Sequence, residues 1–484
     1  MSRGSPSIVW FRQDLRLADN PALHAAVERG APILPVYVLD DETPGRWRMG
    51  GASRWWLHRS LEALALDLGR AGASLILRRG KAEAEIGRLV EETGAGAVIW
   101  SRCYEPYNVE RDRRIDAQLQ ARGVEVHSFN GALLMEPRTV LTAAGQPFKV
   151  FTAFWKALRA SYTGRDLLPR PPTVTDTCES IRSDELDSWK LLPGRPDWAK
   201  GFGDWRPGEE GARDRLGEFL GHGLIGYRTR RNRPDLPSTS RLSPHLHFGE
   251  ISPAQVWVAI TDMVTADERT ASDDAESFLS ELGWREFSYN LLHHFPNLPD
   301  EPWRSEFRRF PWVGCDEAER AWRRGRTGLP IVDAGMRELW ATGWMHNRVR
   351  MIAASFLVKD LLTPWQDGEA WFWDTLVDAD LANNAASWQW VTGSGADAAP
   401  YFRIFNPVLQ GETFDPDGAY VRRWVPEIAR LPDPWIHKPW LAPDMVLNAA
   451  GVVLGKTYPR PIVDHGEARQ RALQAFNGLR RGTA

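Results

Sequence analysis

Between residues 7 and 129 five short runs rich in β-branched and aromatic residues alternate with stretches of helical periodicity. The runs are SIVWFR, PILPVYVL, SLILRR, AVIWS and VEVHSF; the helical patterns lie near residues 20–30, 53–71, 81–93 and 108–122. Parallel strands need long crossovers, and right-handed helical crossovers place helices on both faces of one sheet. Residues 1–132 are therefore expected to form a parallel α/β domain. Ligands in such sheets sit outside the carboxyl ends of the strands, which directs attention to Arg12–Arg16, Asp40–Asp41 and Ser101–Arg111. No GxGxxG follows the first strand and no GxxxxGK[ST] occurs, so ordinary dinucleotide and P-loop nucleotide binding have no support. Gly393-Ser394-Gly395 follows no predicted strand and is not read as a phosphate loop.

From 133 to 205 the pattern dissolves into Pro, Gly and charge, as in LLPGRPDWAKGFGDWRPG, and reads as a long surface connector. From 206 to 484 helical periodicity takes over, so the second domain is expected to be almost wholly α-helical. Among the 484 residues no apolar run approaches the length of a membrane span, and the N-terminus lacks a signal-peptide pattern. Cys103, Cys178 and Cys315 are too few and too scattered for a disulfide framework or a Cys-rich metal centre. A cytoplasmic protein without membrane attachment or bound metal is expected. The formal net charge of −3 gives no global attraction to nucleic acid, so any such contact needs a local basic patch. Arg228, Arg230, Arg231 and Arg233 form one concentration; Arg304, Arg308, Arg309, Arg320, Arg323, Arg324 and Arg326 form another. The ordinary reading of either is a solvated face.

The region from Gly343 to Pro407 holds the densest chemistry. Val349, Ile352, Ala353, Phe356 and Leu357 fall at i, i+3, i+4, i+7 and i+8, one core-facing stripe of a helix that Pro364 limits. Another face carries Asn347, Arg350 and Met351, and between Asp378 and Trp390 come two acids, two adjacent Asn and two Trp. Such groups are costly to bury alone and together suit a ligand with polar edges and flat apolar faces. Tryptophan is anomalous: 24 in the chain, 15 of them between Trp257 and Trp440. Packing alone seldom draws on so many indoles, because a buried N–H needs a partner. In a helix over Ser280–Phe287, Glu281 and Arg285 stand at i, i+4 and Trp284 one turn away, predicting an ion pair or a carboxylate beside an aromatic plate. Two aromatic walls with a carboxylate and amides between them fit nucleotides flipped out of a duplex, stacked on their faces and read on their edges. The hydroxyl-rich stretch 238–243 before PHLHFGEISP suits phosphate, although Ser and Thr also cap most helices. His245 and His247 are read as structural histidines, since more ligands would be needed for a metal.

WFRQDLRLADNPAL (10–23), TSRLSPHLHFG (239–249), ELGWREF (281–287), GLPIVDAGMRELWATGWMHNRVRM (328–351), DADLANNAASWQW (378–390) and GADAAPYFRIFNP (395–407) together resemble the DNA photolyase/cryptochrome family. The resemblance covers nearly the whole chain. Within the family it is similar to cyclobutane pyrimidine dimer photolyases rather than (6-4) photolyases, which carry His where Asn347 stands. It implies a Rossmann-like antenna domain over 1–132, a connector over 133–205 and a helical FAD domain over 206–484. Tyr227 and Thr239, Ser240, Arg241, Leu242 and Ser243 would hold the FAD phosphates, with Arg285 close by. Arg350 and Asp378 would pair beside the flavin, Asp380 would serve its adenine and ribose side, and Ala379 would also contact the cofactor. Asn384 would face flavin N5, where an amide accepts a hydrogen bond without supplying a proton; plant cryptochromes carry Asp there.

On the substrate side the resemblance implies UV-damaged DNA containing pyrimidine dimers. Glu281 would bond the dimer edge, Trp284 and Trp390 would wall it, Asn347 and Met351 would complete the pocket, and Arg231 and Arg348 would contact flanking phosphates. Trp388, Trp365 and Trp312 would carry electrons from solvent to the flavin, with Trp371 and Trp373 as a parallel branch. Antenna candidates are Arg12, Asp40, Glu105, Asn108 and Glu110. SRCYEPYNVERD mixes features seen with methenyltetrahydrofolate and 8-hydroxydeazaflavin antennas, so either remains open. Three scattered cysteines exclude the iron–sulfur cluster of some bacterial relatives. The expected activity is redox-neutral, light-dependent repair by a monomer. The rival is a cryptochrome-type blue-light receptor signalling through flavin photoreduction, set against it by the intact dimer pocket and the absence of a C-terminal extension.

Overall fold

The structure is a computed structural model and describes residues 4–176, 181–266, 272–397 and 402–481. Cys178 and residues 398–401 of the GADAAPYFRIFNP motif lie outside the described residues. Five strands form one sheet: β1 (Ser7–Phe11), β2 (Ile33–Leu39), β3 (Ile76–Arg79), β4 (Ala97–Ser101) and β5 (Glu125–Phe129). All pairings are parallel, in the order β3-β2-β1-β4-β5, with Val9 opposite Pro35 and Trp10 opposite Trp100. The crossovers are α1 (Pro21–Glu28), α2 (Gly51–Arg70), α3 (Ala82–Thr93) and α4 (Pro106–Ala121).

Period-two alternation sorts the wholly buried β1 between two cores. Ile8 and Trp10 join the α3 and α4 side with Ile86, Leu89, Ile115 and Leu119. Val9 and Phe11 join the α1 and α2 side with Leu23, Trp56 and Leu61. That second core continues into the helical domain through Phe202, Trp205, Phe248, Trp344 and Val377. The seam is tight: Leu15 N–H donates to the Phe248 carbonyl at 3.1 Å, and a Cβ on Gly249, whose φ is +67°, would lie 2.0 Å from the Gln13 carbonyl oxygen.

The segment 133–205 contains a helix of its own, α5 (Phe151–Ser161), which packs on the helical domain through Phe154 and Leu158. Phe151, Phe154, Trp155 and Leu158 stand at i, i+3, i+4 and i+7; the flanking Pro- and Gly-rich stretches hid this helical signal. The helices of the second domain that bear on the site are α6 (Pro253–Ala266), α7 (Ser272–His294), α8 (Pro330–Thr342), α9 (Asn347–Ser355), α10 (Trp365–Thr375), α11 (Leu381–Thr392) and α12 (His465–Arg481); others, such as Glu209–Glu218 and Asp316–Arg323, complete it. The predicted stripe is the buried face of α9: Val349, Ile352 and Ala353 are enclosed, and Phe356 and Leu357 continue it through a π-turn that ends at Asp360. No described helix is long and apolar enough to cross a membrane.

Candidate active site

A cavity of about 530 Å³ opens among α7, α9, α10, α11 and the short helix Ser243–His247. That volume lies in the range of small-molecule and cofactor sites. Helix starts set its inner wall. At α9 the His346 side chain accepts from Arg348 N–H at 3.1 Å, fixing the turn from which Asn347, Arg350 and Met351 line the cavity. At α11 the Asp380 carboxylate caps Asn383 N–H at 2.8 Å, and the same helix presents Asn384, Trp388 and Trp390.

Asp378 is the clearest sign that the cavity suits a ligand with a polar edge. Its Oδ2 accepts from Arg350 at 2.8 Å and from Ser243 Oγ at 2.6 Å, but its Oδ1 is buried without a partner. A carboxylate oxygen is seldom left so, unless a ligand donor reaches it. Asn384 donates from Nδ2 to the Glu369 carbonyl at 3.0 Å, which orients the amide and leaves Oδ1 for a ligand. Asp380 is buried and bonds the Tyr289 hydroxyl and, at 3.4 Å, His247. Burial works against its charge, but His247, Arg285 and Tyr289 outweigh that cost and lower its pKa. His245 is bonded to Glu250, so both histidines of the HxH pair hold carboxylates.

Toward the mouth, Glu281 pairs with Arg231 at 2.6 Å, not with Arg285 as the i, i+4 spacing predicted. Arg285 turns inward to the Ala132 carbonyl at 2.8 Å and lies over the Tyr289 ring, because α7 is buried on that side. Burial raises the Glu281 pKa, with Arg231 opposing. Arg348 is held by Asn232 Oδ1 at 2.8 Å. Glu281, Trp284, Asn347, Met351 and Trp390 thus share one cavity with Ser240, Leu242, Ser243, Arg285, Arg350, Asp378, Ala379, Asp380 and Asn384, and Arg231 and Arg348 border it. Tyr227, Thr239 and Arg241 do not line it: Tyr227 is packed between Phe219 and Phe278, and Arg241 lies over the Trp344 ring. Two neighbours escaped the sequence reading, Phe151 stacked on Trp284 and Asn232 bonded to Arg348.

Trp388 lines the cavity and Trp365 opens α10; both are buried, and Trp312 is partly exposed. A Cβ on Gly368 would lie 2.1 Å from Trp388 Cη2, so the indole rests directly on the α10 backbone one turn from Trp365. Val313 N–H donates to the Leu362 carbonyl at 2.9 Å, which brings the Trp312 segment beside the approach to α10. Of the proposed side branch, Trp371 stacks on Trp340 at 6.0 Å and Trp373 meets Trp47 edge-on at 5.5 Å.

A second cavity of about 670 Å³ lies between the carboxyl end of β2 and α10, lined by Asp41, Trp47, Arg54, Arg79, Trp189 and Trp373 among others. Glu369 also borders it, with Oε1 buried and unpartnered and its pKa raised by burial. None of the five antenna candidates lines this cavity. Arg12 bonds Asp112 at 2.5 Å, Glu105 accepts from Gln13 and Asn108, Asp40 caps Thr43 and Ala82, and Glu110 pairs with Arg113.

Residues 7–174 match the DNA photolyase family, and residues 278–478 match the FAD binding domain of DNA photolyase. The chain is 52% identical to the deoxyribodipyrimidine photo-lyase of Agrobacterium fabrum, covering 99% of both chains. It is 42% identical to cryptochrome-1 of Arabidopsis thaliana, covering 98% of this chain and 71% of that one. The solved structure of a bacterial class III photolyase from Agrobacterium tumefaciens superposes with a TM-score of 0.95 at 52% identity, covering 99% of this chain and 98% of that one.

Proposed function

The chain belongs to the DNA photolyase/cryptochrome family, and on that premise we propose how its two cavities divide the work of light-dependent repair of cyclobutane pyrimidine dimers in UV-damaged DNA. The observation that carries the reading is a single cavity that joins a flavin-type floor, Asp378 with its unpartnered Oδ1 and Asn384, to a dimer-type mouth, Glu281, Trp284, Asn347, Met351 and Trp390. The residues fit FAD: Asp378 has an acceptor waiting, Arg350 supplies a cation beside it, and Ser240 and Ser243 supply hydroxyls. Tyr227, Thr239 and Arg241 do not line the cavity, so the phosphate side is assigned to Ser240, Leu242 and Ser243. What FAD supplies when bound is a light-driven electron, lent to the dimer and returned once the cyclobutane bonds have split.

The protein's own residues bind, orient and insulate. Arg350 favours negative charge on the ring system it adjoins, and Asn384 Oδ1 accepts a hydrogen bond without donating a proton. Glu281 holds the dimer's polar edge, and Trp284 and Trp390 provide flat apolar walls. Arg231 and Arg348 take flanking phosphates, so affinity depends on salt. Trp388, Trp365 and Trp312 form the route by which an oxidised cofactor is reduced from solvent; the step from enclosed to partly exposed indole supports that order.

We assign the antenna chromophore to the second cavity, where indoles offer flat walls and Glu369 an unsatisfied carboxyl; a folate or a deazaflavin fits that description. Arg12, Asp40 and Glu105 then act at the ends of the strands, while Asn108 and Glu110 bond within or at the start of α4. The proposed division is 1–132 for the antenna domain, 133–205 for the connector and 206–484 for the FAD domain, in a cytoplasmic monomer. A blue-light receptor would have no need to prefer damaged DNA. Fluorescence anisotropy with duplexes that differ only by one thymine dimer is expected to give a preference of about 10³-fold or more for the lesion. Equal affinities would contradict the repair reading and favour the receptor.

A further inference from the structure

The wall of the dimer pocket is not made by the FAD domain alone. Phe151, the first residue of α5, lies face to face with Trp284 at 3.7 Å between ring centroids and 8° between planes. Aromatic pairs left to themselves prefer offset or edge-on arrangements at 4.5–7 Å, so a closer parallel pair points to rings held by their surroundings. Three anchors do the holding. Phe151 N–H donates to Asp397 Oδ2 at 3.1 Å, and Asp397, which follows the end of α11, lines the cavity. Trp155, one turn along α5, lies against Gly283 of α7, where a Cβ would come within 2.3 Å of the indole. The Trp155 Nε1–H then donates to Glu276 at 3.1 Å. Phe151 itself does not line the cavity; it covers one face of a ring that does.

We infer that Phe151 is a positioning residue for dimer recognition: with its backbone held by Asp397 and its ring covering one face of Trp284, it fixes the plane against which the flipped pyrimidine pair stacks. A stacking plate works only when its plane is set before the base arrives, since an unfixed indole must be ordered at the moment of binding. Phe151 therefore acts on lesion affinity and leaves the electron step to residues deeper in the cavity. The inference rests on the reading of Trp284 as a wall of the dimer site.

The test measures dissociation constants for a thymine-dimer duplex, and repair yield per absorbed photon at saturating duplex, in FAD-loaded protein. Phe151→Ala is expected to weaken lesion binding about tenfold, in line with the loss of one stacking contact. The saturated yield and the flavin absorption spectrum are expected to stay as in the parent. Phe151→Tyr, which keeps the ring, is expected to restore affinity, and Phe151→Leu, which keeps apolar volume for folding, to behave like alanine. Parent-like lesion affinity in both ring-deleting variants would overturn the inference, as would loss of yield in step with affinity. Trp284→Ala separates the two claims. If it weakens lesion binding while Phe151→Leu does not, only the positioning role falls; if it leaves lesion binding intact, the wall assignment of Trp284 falls.

Discussion

His346 shows how one buried side chain ties the site to pH. It caps α9 through Nδ1, and burial, with Arg348, Arg350 and Arg241 nearby, pushes its pKa from 6.5 down to about 3. The folded state therefore binds fewer protons than the unfolded state between those two values, so stability rises with pH across that window and is lost as pH falls from 6.5. The loss approaches ~1.4 kcal/mol per pH unit from this residue alone. His346→Asn keeps an N-cap acceptor without a titrating ring, and is expected to flatten the thermal-melting curve between pH 6.5 and 4.5 while changing neutral stability by less than about 1 kcal/mol. An unchanged slope would count against His346 as the source. Side-chain identity and helical spacing sufficed to place Asn347, Arg350 and Met351 on one face. Spacing was misleading at Glu281, because the i, i+4 rule knows nothing of Arg231, fifty residues earlier in the chain and 2.6 Å away in space. The stack of Phe151 on Trp284 was equally illegible, since its partners meet only through the packing of α5 on α7.

The proposed electron route depends on how two elements pack. Trp388 of α11 lies on Gly368 of α10 with no room for a methyl group, and a one-carbon insertion there must push the indole away or separate the helices. Gly368→Ala is expected to cost roughly 1–3 kcal/mol in chemical denaturation. It is also expected to slow photoreduction of oxidised flavin, while protein reduced chemically beforehand repairs dimers as before. A variant that destabilises yet photoreduces at the parent rate would detach Trp388 from the route. The strands and crossovers of the first domain were legible because each is apolar for a local reason and punctuated by turns. α5 carried an equally clear 3.6-residue stripe, but it is short and set among prolines and glycines that mark loops. The hydroxyl stretch 238–243 suits phosphate by composition and equally suits a helix cap; which of its residues reach the cavity depends on the turn before Ser243.

At the scale of the whole molecule the two domains share a core. Trp55 and Trp56 of α2 pack with Phe202, Trp205 and Phe248, and Gly249 lets the chain pass against the loop after β1. Both cavities meet at α10: Asn384 in one bonds the backbone of Glu369, whose side chain borders the other. On the proposed reading, a shared core of this kind would hold the two chromophores at a fixed separation, which energy transfer between them needs, and leave the proposed dimer mouth open to DNA. The direct measurement uses UV-irradiated oligo(dT), reduced FAD-loaded protein and the recovery of absorbance near 260 nm. Recovery under blue light, with none in the dark, is the predicted result; no recovery under blue light, with FAD bound and reduced, would contradict the account.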